Sequence, residues 1–236
     1  MGFKGEIGIT LNMNPVYPAS ESPEDVKTAR RFNEYLNKWF ADPVLKGKYP
    51  EELLKWYQEK GLFPMTASDE IKAVYQPVDF LGINNYYSSF VKYDEQKWPI
   101  YAVEVTTGRD TTQMGWEINP EGLHDLLVNV HKEYDGVKIL ITENGAAFND
   151  MVNPEGKVED DNRLTYLYRY LEQMHRAIRS GVNVAGYYAW SLLDNFEWGY
   201  GYSKRFGLIY VDYKSQKRIL KKSAYWYRDV IKNNGF

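Results

Sequence analysis

Four short apolar segments, each followed in turn by a stretch with helical periodicity, limit what this chain can fold into more than any other feature. The segments are Glu6 to Leu11, Val78 to Ile83, Lys138 to Thr142 and Val184 to Leu192. They are apolar almost throughout, as strands buried on both faces must be, and do not alternate like half-solvated strands. The first helix opens at Ser22-Pro23, an N-cap followed by a proline in the first turn. Its apolar face is Val26, Ala29, Phe32, Leu36 and Phe40, and Asp42-Pro43 is expected to stop it. A short helix over Pro50 to Lys60 ends at Gly61. Another starts at Asn119-Pro120 and runs through Leu123, Leu126, Leu127 and Val130 to Gly136. Asn162 to Ser180 carries Leu164, Leu167, Leu171, Met174 and Ile178 on one face, and Gly181 caps it. A last helix is expected over Lys222 to Lys232, after a hairpin at Gly207 to Asp212. Asn12 to Ser20 reads as turn-rich, and the interruption from Ser88 to Glu117 holds one extra strand, Tyr101 to Thr107.

Strands alternating with helices imply a parallel sheet in one α/β domain over residues 1–236, in units of about 5–61, 78–136, 138–181 and 184–232. A doubly wound sheet and a (β/α) barrel both satisfy the pattern. No glycine-rich loop follows any strand, which counts against a nucleotide-binding doubly wound fold. The net charge is -3 with signs interspersed, so no basic face is offered to nucleic acid or a membrane surface. No apolar run is long enough to span a bilayer, and Met1-Gly2-Phe3-Lys4-Gly5-Glu6 has neither a leader-like apolar core nor a myristoylation pattern. Cysteine is absent, which excludes disulfides and thiolate metal sites and fits a cytoplasmic protein. His124, His131 and His175 fall on helices at no metal-binding spacing, so neither a metal nor a cofactor is expected.

Polar and aromatic residues gather after the strands: Asn84, Asn85, Tyr86 and Tyr87; then Glu143 and Asn144; then Asp194, Asn195, Glu197 and Trp198. The carboxyl ends of parallel strands are where such sheets build their sites. Two carboxylates on neighbouring strand ends, flanked by tryptophans, suit glycoside chemistry. The aromatic content of 16%, with 21 tyrosines and 7 tryptophans, fits ring faces that stack on a pyranose, although a large aromatic core would give the same figure. Plainer roles exist for each residue. A lone Glu after a strand is ordinarily a helix cap or a solvated side chain, Trp190 and Phe206 could be core aromatics, and Tyr86 could be a buried hydroxyl with a local partner.

Specific motifs decide between these. Ile141-Thr142-Glu143-Asn144-Gly145 resembles the nucleophile motif of glycoside hydrolase family 1, and Leu81-Gly82-Ile83-Asn84-Asn85-Tyr86 resembles its sugar-site strand. Met114-Gly115-Trp116-Glu117-Ile118 and Gly8-Ile9-Thr10-Leu11-Asn12 are similar to further family segments. Trp190-Ser191-Leu192-Leu193-Asp194-Asn195-Phe196-Glu197-Trp198, continuing to Tyr202-Ser203-Lys204-Arg205-Phe206-Gly207, is the strongest match. The resemblance covers the whole chain and implies the C-terminal half, strands five to eight, of a (β/α)8 TIM barrel. It implies a retaining β-glucosidase in which Glu143 is the nucleophile and Tyr86 orients it. Asn84 would contact sugar or nucleophile, and Glu197 would accept bonds from distant hydroxyls. Trp190 would stack under the ring, Trp198 would bind a hydroxyl, Trp116 and Phe206 would line the entrance, and Asn12 would lie on the leaving-group side. The substrate implied is a β-glucoside or small oligosaccharide. The pattern Ser-x-x-x-x-x-Lys-x-Tyr of the 6-phospho group is not met at Ser203.

The family's acid/base motif T-x-N-E-P is missing from these residues. Phe32-Asn33-Glu34-Tyr35 resembles it for three letters but lacks the proline and sits in a helix, with Glu34 expected on its polar side. Trp198-Gly199-Tyr200-Gly201 also departs from the family pattern and loosens that loop. The partner expected is therefore a complementary N-terminal half-barrel or a second copy of this chain, and the isolated chain is expected to be nearly inactive. The alternative is a non-catalytic, self-associating half-barrel scaffold with a residual sugar-binding groove.

Overall fold

A computed structural model describes residues 4–63, 71 and 73–236; Met1 to Phe3 lie outside the described residues. Its central sheet has four parallel strands: β1 (Gly8–Asn12), β3 (Phe80–Asn84), β6 (Ile139–Asn144) and β7 (Val184–Ala189). They lie side by side in chain order, β1-β3-β6-β7. A doubly wound sheet reverses its strand order at a switch point. This one does not, so the choice left open by the strand-helix pattern falls to the barrel type.

Leu81, Ile83, Ile139 and Ile141 are fully buried against the helices α4 (Pro120–Glu133) and α5 (Asp161–Arg179), through Leu123, Leu127, Tyr166 and Leu167. Burying a Leu or Ile side chain stabilises by about 1.5–3 kcal/mol. The opposite face carries Gly82, where an added Cβ would meet Thr10 Oγ1 at 2.3 Å and Thr142 Cγ2 at 3.0 Å. Only glycine lets these three strands close at that level.

One irregularity positions the site. Ile83 pairs with Ile141, but Asn84 pairs with Glu143; on the other side Ile141 pairs with Tyr187 and Asn144 with Ala189. Against both neighbours β6 therefore holds one extra residue, a bulge at Thr142-Glu143. Side chains alternate faces along a strand, and a bulge resets the alternation. Without it Glu143 would follow Ile139 and Ile141 into the helix layer.

Helix α1 (Pro23–Asn33) starts as expected, with the Asp25 N–H donating to the Ser22 side chain at 3.1 Å. It does not stop at Pro43. A π-helical turn (Glu34–Lys38) is followed by α2 (Trp39–Lys46), with Pro43 inside it and Gly47 at φ 66° closing it. The wider turn ends before α2 begins, and α2 runs on through the proline despite the N–H it lacks. The same turn rotates the expected apolar face. Phe40 is 57% exposed, while Asn37 and Ala41 point inward. Glu34 is also not on a free polar side: it is half-buried and accepts from the Leu53 N–H at 2.8 Å, capping α3 (Glu51–Glu59) from outside that helix.

The turn-rich stretch contains β2 (Val16–Pro18), which pairs with β4 (Ser89–Tyr93), itself antiparallel to β5 (Ala102–Glu104). Strand β8 (Ile209–Val211) pairs with β9 (Arg218–Leu220), ahead of α6 (Lys222–Asn233). On α5 the buried face is Arg163, Tyr166, Leu167, Tyr170, Leu171 and Ala177, whereas Ile178 is exposed. The expected leucine stripe is rotated because tyrosine hydroxyls and one arginine reach partners beneath the helix.

Candidate active site

The bulge brings Glu143 to the inner face beside Asn84, whose Oδ1 accepts from Thr142 Oγ1 at 2.7 Å. The Tyr86 hydroxyl donates to Glu143 Oε2. Burial first, then that hydrogen bond and the charge on Glu143, push the Tyr86 phenol far up, so it stays a donor at every working pH. Tyr86 packs against Trp116 (ring centroids 5.3 Å apart) and Phe206 (6.2 Å), and Tyr87 stacks on Trp116 at 5.4 Å. Phe206 is only 3% exposed. It props the aromatic wall from behind.

Glu197 sits in the loop after β7, where its N–H donates to the Gly201 carbonyl at 2.7 Å. Burial, then the like charge of Glu143, raise its carboxyl above the usual value. The two carboxylates thus share one field. The folded state holds the Glu197 proton more tightly than the unfolded chain does. Its contribution is therefore favourable below the unfolded carboxylate range and is lost as pH rises through the raised folded value. Glu197→Gln is expected to raise the urea midpoint at neutral pH, with the gain shrinking as pH is lowered. A variant less stable than the parent at neutral pH would contradict this.

Trp190 is held by its backbone. Its N–H donates to the Asn144 carbonyl at 2.8 Å, and its own carbonyl lies where a Cβ on Gly145 would come to 1.9 Å. This close approach requires the glycine that ends the Glu143-Asn144-Gly145 motif. Asn12 lies in register with Asn84 but is exposed at the edge of the sheet. Trp198 is 83% exposed with φ 40°, so its indole is not brought to the others. Among the described residues no cluster of His, Asp and Glu is arranged to hold a metal, and no helix is long and apolar enough to cross a membrane.

Behind the site lies an ionic cluster that sequence reasoning missed. Arg163 donates to Asp150 (2.8 Å) and Asp160 (2.6 Å), Lys221 to Asp150 (2.6 Å) and Asp194 (2.8 Å), and Arg205 to Asp194. Lys221, Arg163, Asp160 and Asp194 are all buried. The available signal was Arg163 itself, a charge at helical spacing from Tyr166, Leu167 and Tyr170.

A parallel sheet in sequential order, with a carboxylate and an aromatic wall at the carboxyl strand ends, is the arrangement from which barrels of the glycoside hydrolase class are built. The profile described as Glycosyl hydrolase family 1 matches residues 1–236. "Beta-glucosidase A" of Acetivibrio thermocellus is 48% identical over 238 residues, covering 100% of this chain and 53% of that protein. "Beta-glucosidase A" of Thermotoga maritima is 45% identical, covering 98% of this chain and 51% of that protein. The solved "Family 1 b-glucosidase from Thermotoga maritima in complex with isofagomine lactam" superposes with a TM-score of 0.93 at 44% identity, covering 99% of this chain and 52% of that one. The chain belongs to glycosyl hydrolase family 1. It spans about half the length of the relatives it matches, and its fold is the corresponding part of their TIM barrel.

Proposed function

We propose that this chain supplies the nucleophile and much of the sugar pocket of a retaining β-glucosidase, completed by a first half that brings the acid/base carboxyl. The observation that carries this reading is the Tyr86 hydroxyl donating to Glu143 inside an aromatic wall, within the field of Glu197. The Glu143 carboxylate attacks the anomeric carbon of a β-glucoside and forms a glycosyl ester. The aglycone oxygen leaves with a proton from the acid carboxyl of the other half. That group then takes a proton from water, whose oxygen displaces Glu143. Tyr86 holds the carboxylate in line. Asn84 and Glu197 bind hydroxyls, Trp190 and Trp116 present ring faces, Phe206 backs the wall, and Asn12 faces the aglycone. The absence of cysteine supports a cytoplasmic site of action.

The test is complementation. The chain alone should hydrolyse aryl β-glucosides poorly, since a general acid contributes about 10²–10⁴-fold. Adding a complementary first half from a family relative should restore turnover. A stable complex of the halves without turnover overturns the reading.

A second reading, the self-associating scaffold, is favoured by the edges of the sheet. Neither β1 nor β7 has a second neighbour among the described strands, and Ile7, Tyr188 and Leu192 are exposed beside them. Such edges drive association. Light scattering over a concentration series is expected to show a dimer, with β7 of one copy beside β1 of the other. A monomer at all concentrations excludes it.

A further inference from the structure

Asn144, next to Glu143, is fully buried and uses both donors of its side-chain amide and one position on its oxygen. Its Nδ2 donates to the Asn85 carbonyl at 2.8 Å and to the Tyr166 hydroxyl at 3.2 Å, and its Oδ1 accepts from the Tyr187 hydroxyl at 2.7 Å. The amide can point only one way, because turning it over would set two carbonyl oxygens against each other. The Tyr166 hydroxyl in turn donates to the Tyr86 carbonyl at 3.1 Å. The Asn85 N–H donates to the Glu143 carbonyl at 2.9 Å. Every link in this set runs between the peptides that carry Tyr86 and Glu143, or anchors them to α5 and β7.

We propose that Asn144 is a positioning residue for the nucleophile: with Tyr166 and Tyr187 it locks the Tyr86 and Glu143 peptides so that the Tyr86 hydroxyl meets the Glu143 carboxylate. The bulge makes this possible by resetting the alternation, so that Glu143 faces the inner side and Asn144 the helices. Burial pushes the Tyr166 and Tyr187 phenols well above their ordinary value, so both remain donors and the lock does not loosen with pH. Removing one member leaves buried polar groups without partners and frees both peptides to shift. A displacement of about 1 Å at a reacting group can cost on the order of 10²-fold in rate.

The inference rests on the glucosidase reading, and one experiment separates the two. In the chain completed by a complementary first half, Glu143 is trapped with 2,4-dinitrophenyl 2-deoxy-2-fluoro-β-glucoside. Mass spectrometry follows the labelled fraction, the rate constant of labelling and the concentration dependence. The activated leaving group makes the step independent of the general acid. Asn144→Ala is expected to lower the rate constant by about 10²-fold with the half-saturating concentration little changed. Tyr187→Phe and Tyr166→Phe, which each delete one oxygen, should lower it by a smaller factor and keep the protein folded. A merely structural role predicts a smaller labelled fraction with the parental rate constant, and that outcome in all three variants overturns the proposal. A parent that takes no label at Glu143 overturns the glucosidase reading itself, and the positioning role with it.

Discussion

Glu143→Gln, in a barrel completed by a first half, is expected to lower hydrolysis of an aryl β-glucoside by about 10⁴–10⁶-fold, the range seen when a covalent mechanism loses one member of its catalytic set. The amide keeps the shape and the Tyr86 contact but offers no negative charge to the anomeric carbon. Because the glycosyl ester cannot form, the loss should appear in the turnover number rather than in substrate affinity. Shortening the side chain gives a sharper readout. Glu143→Gly leaves room for azide, whose nitrogen can bond to the anomeric carbon from the vacated side as the glycosidic C–O bond breaks. An activated glucoside should then yield the α-glucosyl azide, detected by its stereochemistry. Parental turnover in Glu143→Gln would remove the nucleophile from this residue.

The second large effect concerns stability. Lys221 is fully buried between Asp150 and Asp194, and burial, then the nearby Arg163 charge, push its ammonium below the usual lysine value. Replacing it with methionine keeps the stem and leaves two buried carboxylates short of a cation. Breaking a buried ion pair from one side costs about 3–5 kcal/mol. Urea unfolding of Lys221→Met should show the full loss, whereas Lys222→Met, at the neighbouring exposed position, should leave the midpoint where it was. Equal midpoints for the two variants would mean that the cluster is not cohesive.

The parts of the fold that could be read in advance were those with a long period or a strong local signal. The four apolar strands, the Ser22-Pro23 helix start and the chemistry after each strand needed no tertiary information. The strands β2, β8 and β9 have three residues each, too few to show alternation, and β4 and β9 were lost among polar loop residues. The π-turn at Glu34–Lys38 has no compositional mark, and it reversed the facing of Phe40. Buried charges mislead in the same way. Arg163 and Lys221 look like solvated residues until their carboxylate partners, distant in the chain, are brought beside them. Glu34 looked idle for the same reason, since its partner is the backbone of another helix. Within the candidate site, the contact between Tyr86 and Glu143 was legible from their motifs, but the burial of Asn144 was not. Which side of β6 Asn144 faces is decided by one extra residue.

The bulge in β6 also limits how the protein can be rebuilt. A segment from Ile139 to Gly145 grafted alone into another barrel would carry the motif without its meaning, because the host strands must yield the same two-against-one pairing on both sides. A workable exchange would have to carry β3 with its Asn85 turn, β6, and β7 through Trp190 as one block. A pairing shift that ironed out the bulge while keeping every residue, by contrast, would leave the composition unchanged and turn the carboxylate into the helix layer. Crossover points for chimeras with family relatives therefore belong in the outer helices, away from these three strands.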